Sequence, residues 1–215
     1  NSDANATPQS MPVLANVTIE VANGENSGGD AAEGVLFRKG TGAHVYNMLV
    51  KGGVDSGECL EINDDNTVNS ALDATLTVNN SLIDCVEPFK NAKADVDKGR
   101  SLALDVQDWF LGQTGNVVGA ADLTGYMPNS SSVALTNGHD DLANIDSRLD
   151  DAAYIGAFDG SNDWTQGWTT ALGQTSTTPV TALPVLTSCP VGTTTESVVA
   201  GLYQDSNINM ICTLT

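Results

Sequence analysis

Three short segments of this chain begin with asparagine and continue as a β-prone run: Asn16-Val-Thr-Ile-Glu-Val, Asn47-Met-Leu-Val-Lys-Gly and Asn80-Ser-Leu-Ile-Asp-Cys. The asparagines lie 31 and then 33 residues apart. A second pair interleaves with them, 25 residues apart: Glu33-Gly-Val-Leu-Phe-Arg-Lys-Gly and Glu58-Cys-Leu-Glu-Ile-Asn-Asp-Asp. Each run is bounded by Gly, Asn or Asp, as short strands are. Interleaved strands that recur at this spacing point to stacked, parallel pairing with loops of unequal length. Two-residue hairpin turns, which would signal a sandwich, are missing. Stacking would place Val35 over Leu60 and Phe37 over Ile62 as apolar ladders about 4.8 Å apart. Asn16, Asn47 and Asn80 would form an amide ladder at a bend; the plain alternative is that each asparagine only starts a turn. The expected fold is all-β, a right-handed parallel β-helix with a helical or irregular cap and a C-terminal extension.

The pattern changes after Pro88. Leu102, Val106 and Trp109 fall at helical spacing, so residues 89–170 read as a capping helix and an irregular remainder that shields the end of the strand stack. Residues 1–88 carry the repeats, residues 171–185 form a Thr/Pro-rich linker, and residues 186–215 form a separate segment with two cysteines. Cys59, Cys85, Cys189 and Cys212 are an even set with no CxxC pair, and His44 and His139 lie far from them in sequence, which argues against zinc. Pairing Cys59 with Cys85 and Cys189 with Cys212 closes the shortest loops, although the other two pairings stay open.

Charge narrows the partners. The chain has 27 acidic against 8 basic residues, a net charge of −19. Such a surface repels nucleic acid and anionic membranes, and its companions are cations, above all Ca²⁺, or neutral polymers; otherwise the acidity serves solubility in an extracellular or salty setting. No apolar run approaches the roughly 18 residues of a membrane span, and no signal peptide stands at Asn1. An exported chain would therefore have lost its signal or belong to a longer precursor.

The stretches Asn1-Ser-Asp-Ala-Asn-Ala-Thr-Pro, Glu33-Gly-Val-Leu-Phe-Arg-Lys-Gly-Thr, Val45-Tyr-Asn, Leu60-Glu-Ile-Asn-Asp-Asp, Tyr154-Ile-Gly-Ala-Phe and Asp163-Trp-Thr-Gln-Gly-Trp-Thr together resemble a family of exported bacterial proteins. These are often lipoproteins, built on right-handed parallel β-helix repeats and common in marine Gram-negative species. The resemblance spans about residues 1 to 170. It implies fold and an extracellular, cell-surface location only, since the family has no established enzymatic activity to carry over. Members normally carry more repeats before the Asn1 motif, so this chain resembles the C-terminal part of a longer design. Its tail, from Ser188-Cys-Pro-Val-Gly-Thr to Met210-Ile-Cys-Thr-Leu-Thr, resembles what usually precedes the first repeat.

Candidate sites follow from residue types. Glu61, Asn63, Asp64 and Asp65 cluster where a strand ends, and hard oxygen ligands of that kind suit Ca²⁺. Asp140 and Asp141 form a second, weaker cluster. Neither run matches an EF-hand or a nonapeptide calcium repeat, and a solvated acidic turn explains either equally well. Catalysis has little to stand on: Asp64, Asp65 and Asp73 are carboxylates, but Arg38 and Lys39 are adjacent and would point to opposite strand faces. With so many acidic residues, a carboxylate pair about 5 to 9.5 Å apart would arise by chance. No serine sits in a GxSxG elbow. Trp164 and Trp168 would stack on sugars if exposed, or pack inward.

The function expected from these readings is an extracellular structural or adhesive module, a subunit of a cell-surface layer or filament that joins copies of itself head to tail. Val198, Val199, Leu202, Ile208 and Ile211 would supply the strand that docks on the neighbour's open first strand. The alternative is a carbohydrate-binding or polysaccharide-degrading protein, whose mark would be a groove lined by carboxylates and a base along one sheet face.

Overall fold

A computed structural model describes residues 7–24, 32–165, 193–196 and 211–214, in two compact units, Asn1–Trp164 and Thr165–Thr215. In the first unit the chain feeds two parallel sheets alternately. The larger holds β1 (Val13–Val21), β3 (Ala43–Gly52), β5 (Leu76–Asn79), β6 (Leu82–Asp84) and β8 (Val117–Val118). The smaller holds β2 (Val35–Phe37), β4 (Leu60–Ile62) and β7 (Phe89–Lys90). Register follows the repeats of the sequence: Val35 faces Leu60 and Phe37 faces Ile62, and Val17 faces Met48, one step past Asn16 and Asn47.

The expected all-β, right-handed parallel β-helix with a helical cap is overturned by two findings. The strands are divided among several small sheets, five- and three-stranded parallel ones and two-stranded antiparallel ones, including β9 (Leu123–Thr124) with β10 (Met127–Pro128). Helices, moreover, contribute to the core. Helix α1 (Asp65–Leu72) buries Val68 and Ala71, and α2 (Val106–Gly112) buries Val106, Trp109 and Phe110, in one cluster with Val45, Val50, Leu60, Ile62, Val78 and Ile83. The physical reason lies at Asp64-Asp65. A carboxylate that caps backbone N–H groups, followed by apolar residues at helical spacing, starts a helix where a regular stack would turn into its next strand. Only part of the expected helical run forms: Leu102 precedes α2 in irregular chain. A short helix α3 (Leu142–Ile145) buries Leu142.

Asn16, Asn47 and Asn80 all adopt left-handed backbone, with φ of 53°, 53° and 47°. Asparagine tolerates this region where most side chains would collide with their own carbonyl. Each such residue shifts the strand's alternation by one. In β3, Val45 before the asparagine and Met48 and Val50 after it all face the main core, while Leu49 joins a second cluster with Leu82, Ala121, Ala134 and Ile155. The same step continues at Gly115 (φ 68°), where any side chain would run into the Asn80 amide.

These amides also bind the chain that crosses over them. Asn47, fully buried, donates from Nδ2 to the carbonyls of Ala152 (2.9 Å) and His139 (3.1 Å) and to Asn16 Oδ1 (3.3 Å), and its Oδ1 accepts the His139 N–H at 2.6 Å. Asn16 Nδ2 donates to the Tyr154 and Gly156 carbonyls, and Asn80 Nδ2 to that of Asn137. The side-chain ladder is thus a rail: one amide–amide bond joins Asn47 to Asn16, and the remaining amide N–H groups hold residues 137–156.

Cys59 and Cys85 form a disulfide that closes 26 residues. Cys59 is fully buried beside β4, and Cys85 directly follows β6, so the bond ties the two parallel sheets. The other expected pair involves Cys189, outside the described residues; Cys212 lies in β12 (Ile211–Leu214), opposite Thr195 of β11 (Thr193–Glu196) in an antiparallel pair. Among the described residues no helix is long and apolar enough to cross a membrane.

Two outcomes are expected from this architecture. Asn47→Ala should lower unfolding stability by about 3–4 kcal/mol, through buried partners left unpaired and a left-handed backbone that alanine resists, and Asn47→Gly should recover about 1 kcal/mol of it. Urea titration of the two variants checks the order; equal losses would mean that the backbone conformation contributes nothing. Reducing Cys59–Cys85 should cost about 3.5 kcal/mol, as a loop of this length implies, and non-reducing peptide mapping should recover the two cysteines linked.

Candidate functional site

The polar side chains of the smaller sheet gather around one lysine. In register, Glu61 of β4 faces Lys90 of β7, and Lys90 Nζ lies 3.1 Å from Glu61 Oε2, 3.3 Å from Glu33 Oε1 and 3.8 Å from Glu58 Oε2. Glu61 is only 4% exposed. A carboxylate taken out of water to that extent needs full pairing, and it has it: Oε1 accepts Asn63 Nδ2 at 2.6 Å. Asn63 Oδ1 in turn accepts Arg100 Nη1 at 3.0 Å, which extends the chain of polar contacts to Asp95, 4.0 Å from Arg100. Burial and the neighbouring Glu61 push the Glu33 carboxyl up, against the pull of Lys90. For Lys90, burial works against the charged form, but the hydrogen bond and charge of Glu61, the hydrogen bond of Glu33 and the charge of Glu58 outweigh it and hold the ammonium above its ordinary range.

A cleft of about 390 Å³ opens beside this cluster, lined by Glu58, Phe89, Lys90, Asn91, Lys93 and Asp105 among others. Its chemistry is that of an electrostatic clamp. An ammonium raised above its usual pKa has no lone pair to act as a base near neutral pH, and its carboxylate neighbours are occupied by it. The cluster joins three elements through one cation, in a chain with few cations to spend.

The four residues expected to hold Ca²⁺ go to different tasks. Glu61 and Asn63 bond each other and the two cations. Asp64, with left-handed backbone (φ 69°), caps α1: Oδ1 accepts Thr67 N at 3.0 Å, and Oδ2 accepts the Lys39 N–H at 2.5 Å. Asp65 accepts Ser101 N at 2.8 Å, Ser101 Oγ at 2.5 Å and Leu102 N at 3.0 Å. Those bonds hold the Asp65 carboxyl below its ordinary pKa. Among the described residues no group of three or more His, Cys, Asp or Glu side chains converges as a metal site. Asp141, of the second acidic cluster, accepts Asn144 Nδ2 at 2.6 Å.

Of the residues expected to drive assembly, Val198, Val199, Leu202 and Ile208 lie outside the described residues, and Ile211 opens β12 opposite Glu196. Trp168 also lies outside them. Trp164 is 49% exposed and ends a stack of three rings: Tyr126 and Phe158 (centroids 6.3 Å apart, planes at 17°), then Phe158 and Trp164 (5.8 Å, 22°).

Sequence reasoning missed the lysine cluster and the ring stack. The only available signal for the first was the register of a two-residue strand, and for the second a contact between residues far apart in the chain. β1 ends the order of the larger sheet, so one of its edges has no strand partner among the described residues. Exposed Met11 and Leu14 lie before and within it. No protein-family model, curated protein or solved structure matches the chain.

Asp65 gives the site a pH signature. A carboxylate with a lowered folded-state pKa adds stability above its unfolded value and loses it as pH falls through the folded one. The unfolded reference is 3.8, so the loss should begin below about pH 4. Asp65→Asn, which keeps an acceptor oxygen and removes the charge, should melt lower than the native protein at pH 7, and the two should converge in acid. A gap that stays constant with pH would show that the charge of Asp65 is not what ties α1 to residues 101–102.

Proposed function

We propose that this protein is an extracellular structural or adhesive module that associates with copies of itself through the outer edge of β1. The observation that carries the reading is that edge: nine residues long, terminal in its sheet, and accompanied by exposed apolar side chains at Met11 and Leu14. Natural sheets blunt long edges with charge, proline or a covering element because an open row of N–H and C=O groups recruits another strand. A strand added from a second copy satisfies those groups, and its side chains supply specificity.

The segment 186–215 of the neighbouring copy is the proposed donor. β12 already pairs with β11, so a hairpin edge, not a lone strand, would meet β1. Two different surfaces then join, a head-to-tail contact that propagates as a filament unless it closes into a ring. The Cys59–Cys85 disulfide supports an oxidising, extracellular setting, as does the resemblance to exported bacterial proteins. The net charge of −19 sets a condition: copies repel one another at low ionic strength, and association should strengthen as salt shortens the Debye length to about 10 Å or less.

Sedimentation velocity and electron microscopy of the full chain, against a chain ending at residue 185, test the reading. The full chain should form oligomers or fibres that grow with ionic strength. The shorter chain should remain monomeric with an unchanged near-ultraviolet dichroism spectrum. A shorter chain that still polymerises, or a full chain that stays monomeric at every salt concentration, would overturn it.

A further inference from the structure

We infer that the cleft beside β7 binds a small monocarboxylate, its charge on Lys93 and its apolar face against Phe89. The site is separate from the β1 edge and does not rest on self-association. Residues 90–100 hold four of the chain's eight basic residues, Lys90, Lys93, Lys98 and Arg100, and only two of its 27 acidic ones, Asp95 and Asp97. Three of those cations are committed within the chain. Lys90 lies among Glu33, Glu58 and Glu61, while Lys98 and Arg100 lie 3.4 and 4.0 Å from Asp95. Lys93 lines the cleft and has no ion pair or hydrogen bond among the described residues.

The other polar groups of the cleft sort in the same way. Glu58 faces Lys90 at 3.8 Å. Asp105 accepts Asp108 N with one oxygen and Asn91 Nδ2 with the other, and Asn91 Oδ1 accepts Val106 N. Gln107, in the first turn of α2, keeps its amide free. A ligand therefore meets one ammonium, one amide and the half-buried ring of Phe89, which rests on Phe110 with centroids 5.4 Å apart. The backbone under Lys93 is fixed on both sides. The Ala92 carbonyl accepts Leu104 N at 3.0 Å, and Asp95 and Arg100 exchange both of their N–H···O bonds. Ordering that backbone costs a ligand nothing.

These groups select by charge and by shape. A lysine ammonium is a compact point charge that one carboxylate answers. A phosphate or sulfate dianion calls for several charge-assisted donors, and here it would meet Glu58 and Asp105 with Lys93 alone to balance it. A polyanion would meet the −19 field of the chain. The cleft, about 390 Å³, holds roughly a dozen water-sized groups at about 30 Å³ each, the size of a single ring with a carboxylate. An aryl acid and a uronic acid share that chemistry, since an aromatic ring or the C–H face of a pyranose packs equally on phenylalanine.

Amide correlation spectra of the full chain, titrated with phenylacetate or with the methyl glycoside of glucuronic acid, read the interaction directly and tell the two sources apart. At least one of them should shift the signals of residues 88–93 and 105–107 and saturate at millimolar concentration. The uncharged counterparts 2-phenylethanol and methyl glucoside, and acetate and phosphate, should bind about fivefold more weakly or not at all. Lys93→Gln should weaken binding about fivefold, Lys93→Arg should retain it, and Lys98→Gln, outside the cleft, should leave it unchanged. No saturable shift with either ring carboxylate, equal binding of acetate or of an uncharged counterpart, or a Lys93→Gln variant that folds and binds as the native chain does would each overturn the proposal.

Discussion

The left-handed asparagines of the larger sheet are the constraint on which the rest of the first unit depends. A strand normally alternates its faces without interruption, and a one-residue shift exchanges inside for outside. Asn47 introduces such a shift within β3, so that one strand serves two cores: Val45, Met48 and Val50 face the main cluster and Leu49 the second. The side chain that makes the bend tolerable is also the one that receives the covering segment. Four hydrogen bonds on a fully buried amide are worth little net against water when all are made, but leaving any unmade is costly. The rail therefore specifies where residues 137–156 lie more than it stabilises the fold.

The acidity of the chain has a structural side. Asp64, Asp105 and Asp159 each accept backbone N–H groups at a helix start or turn. Asp122 accepts Asn129 and Ser131, and Asp146 holds Arg148 with its carboxyl lowered to about 2. Turns with open N–H groups are natural seats for carboxylates, and a chain made of very short strands has many turns. The scarce cations do the complementary work: Lys90 joins three glutamates, and Arg100 extends the same network through Asn63. The residues that read as calcium ligands in sequence share in that division: Asp64 and Asp65 bond backbone N–H groups, Glu61 bonds Asn63 and Lys90, and Asn63 also bonds Arg100.

The proposed assembly surface belongs to β1. Its outer edge would take a strand, and its Asn16 and Thr18 side chains hold the segment that mounts Trp164. A strand edge held in register by its neighbour β3 is a pre-ordered surface, which lowers the entropy lost on association.

The sequence by itself determined the strand pairing. Repeated asparagines and alternating Val, Leu, Ile and Phe at matched spacing fix which residues lie side by side, because a register error would put apolar side chains in water. It also indicated the Cys59–Cys85 bond, the shorter-loop choice, and a helical stretch around Trp109. The tertiary structure decided what a repeat cannot encode. Asp64-Asp65 read equally as a loop or as a metal site, and only the approach of Lys39, Ser101 and Leu102 assigns their oxygens. Glu61 read as a surface ligand until β7 brought Lys90 against it, and Trp164 read as core or surface until Phe158 and the Ala157 carbonyl fixed it between the two. Pairing and periodicity are local properties carried by neighbouring residues, whereas the use of a charged or aromatic group depends on which distant segment arrives beside it.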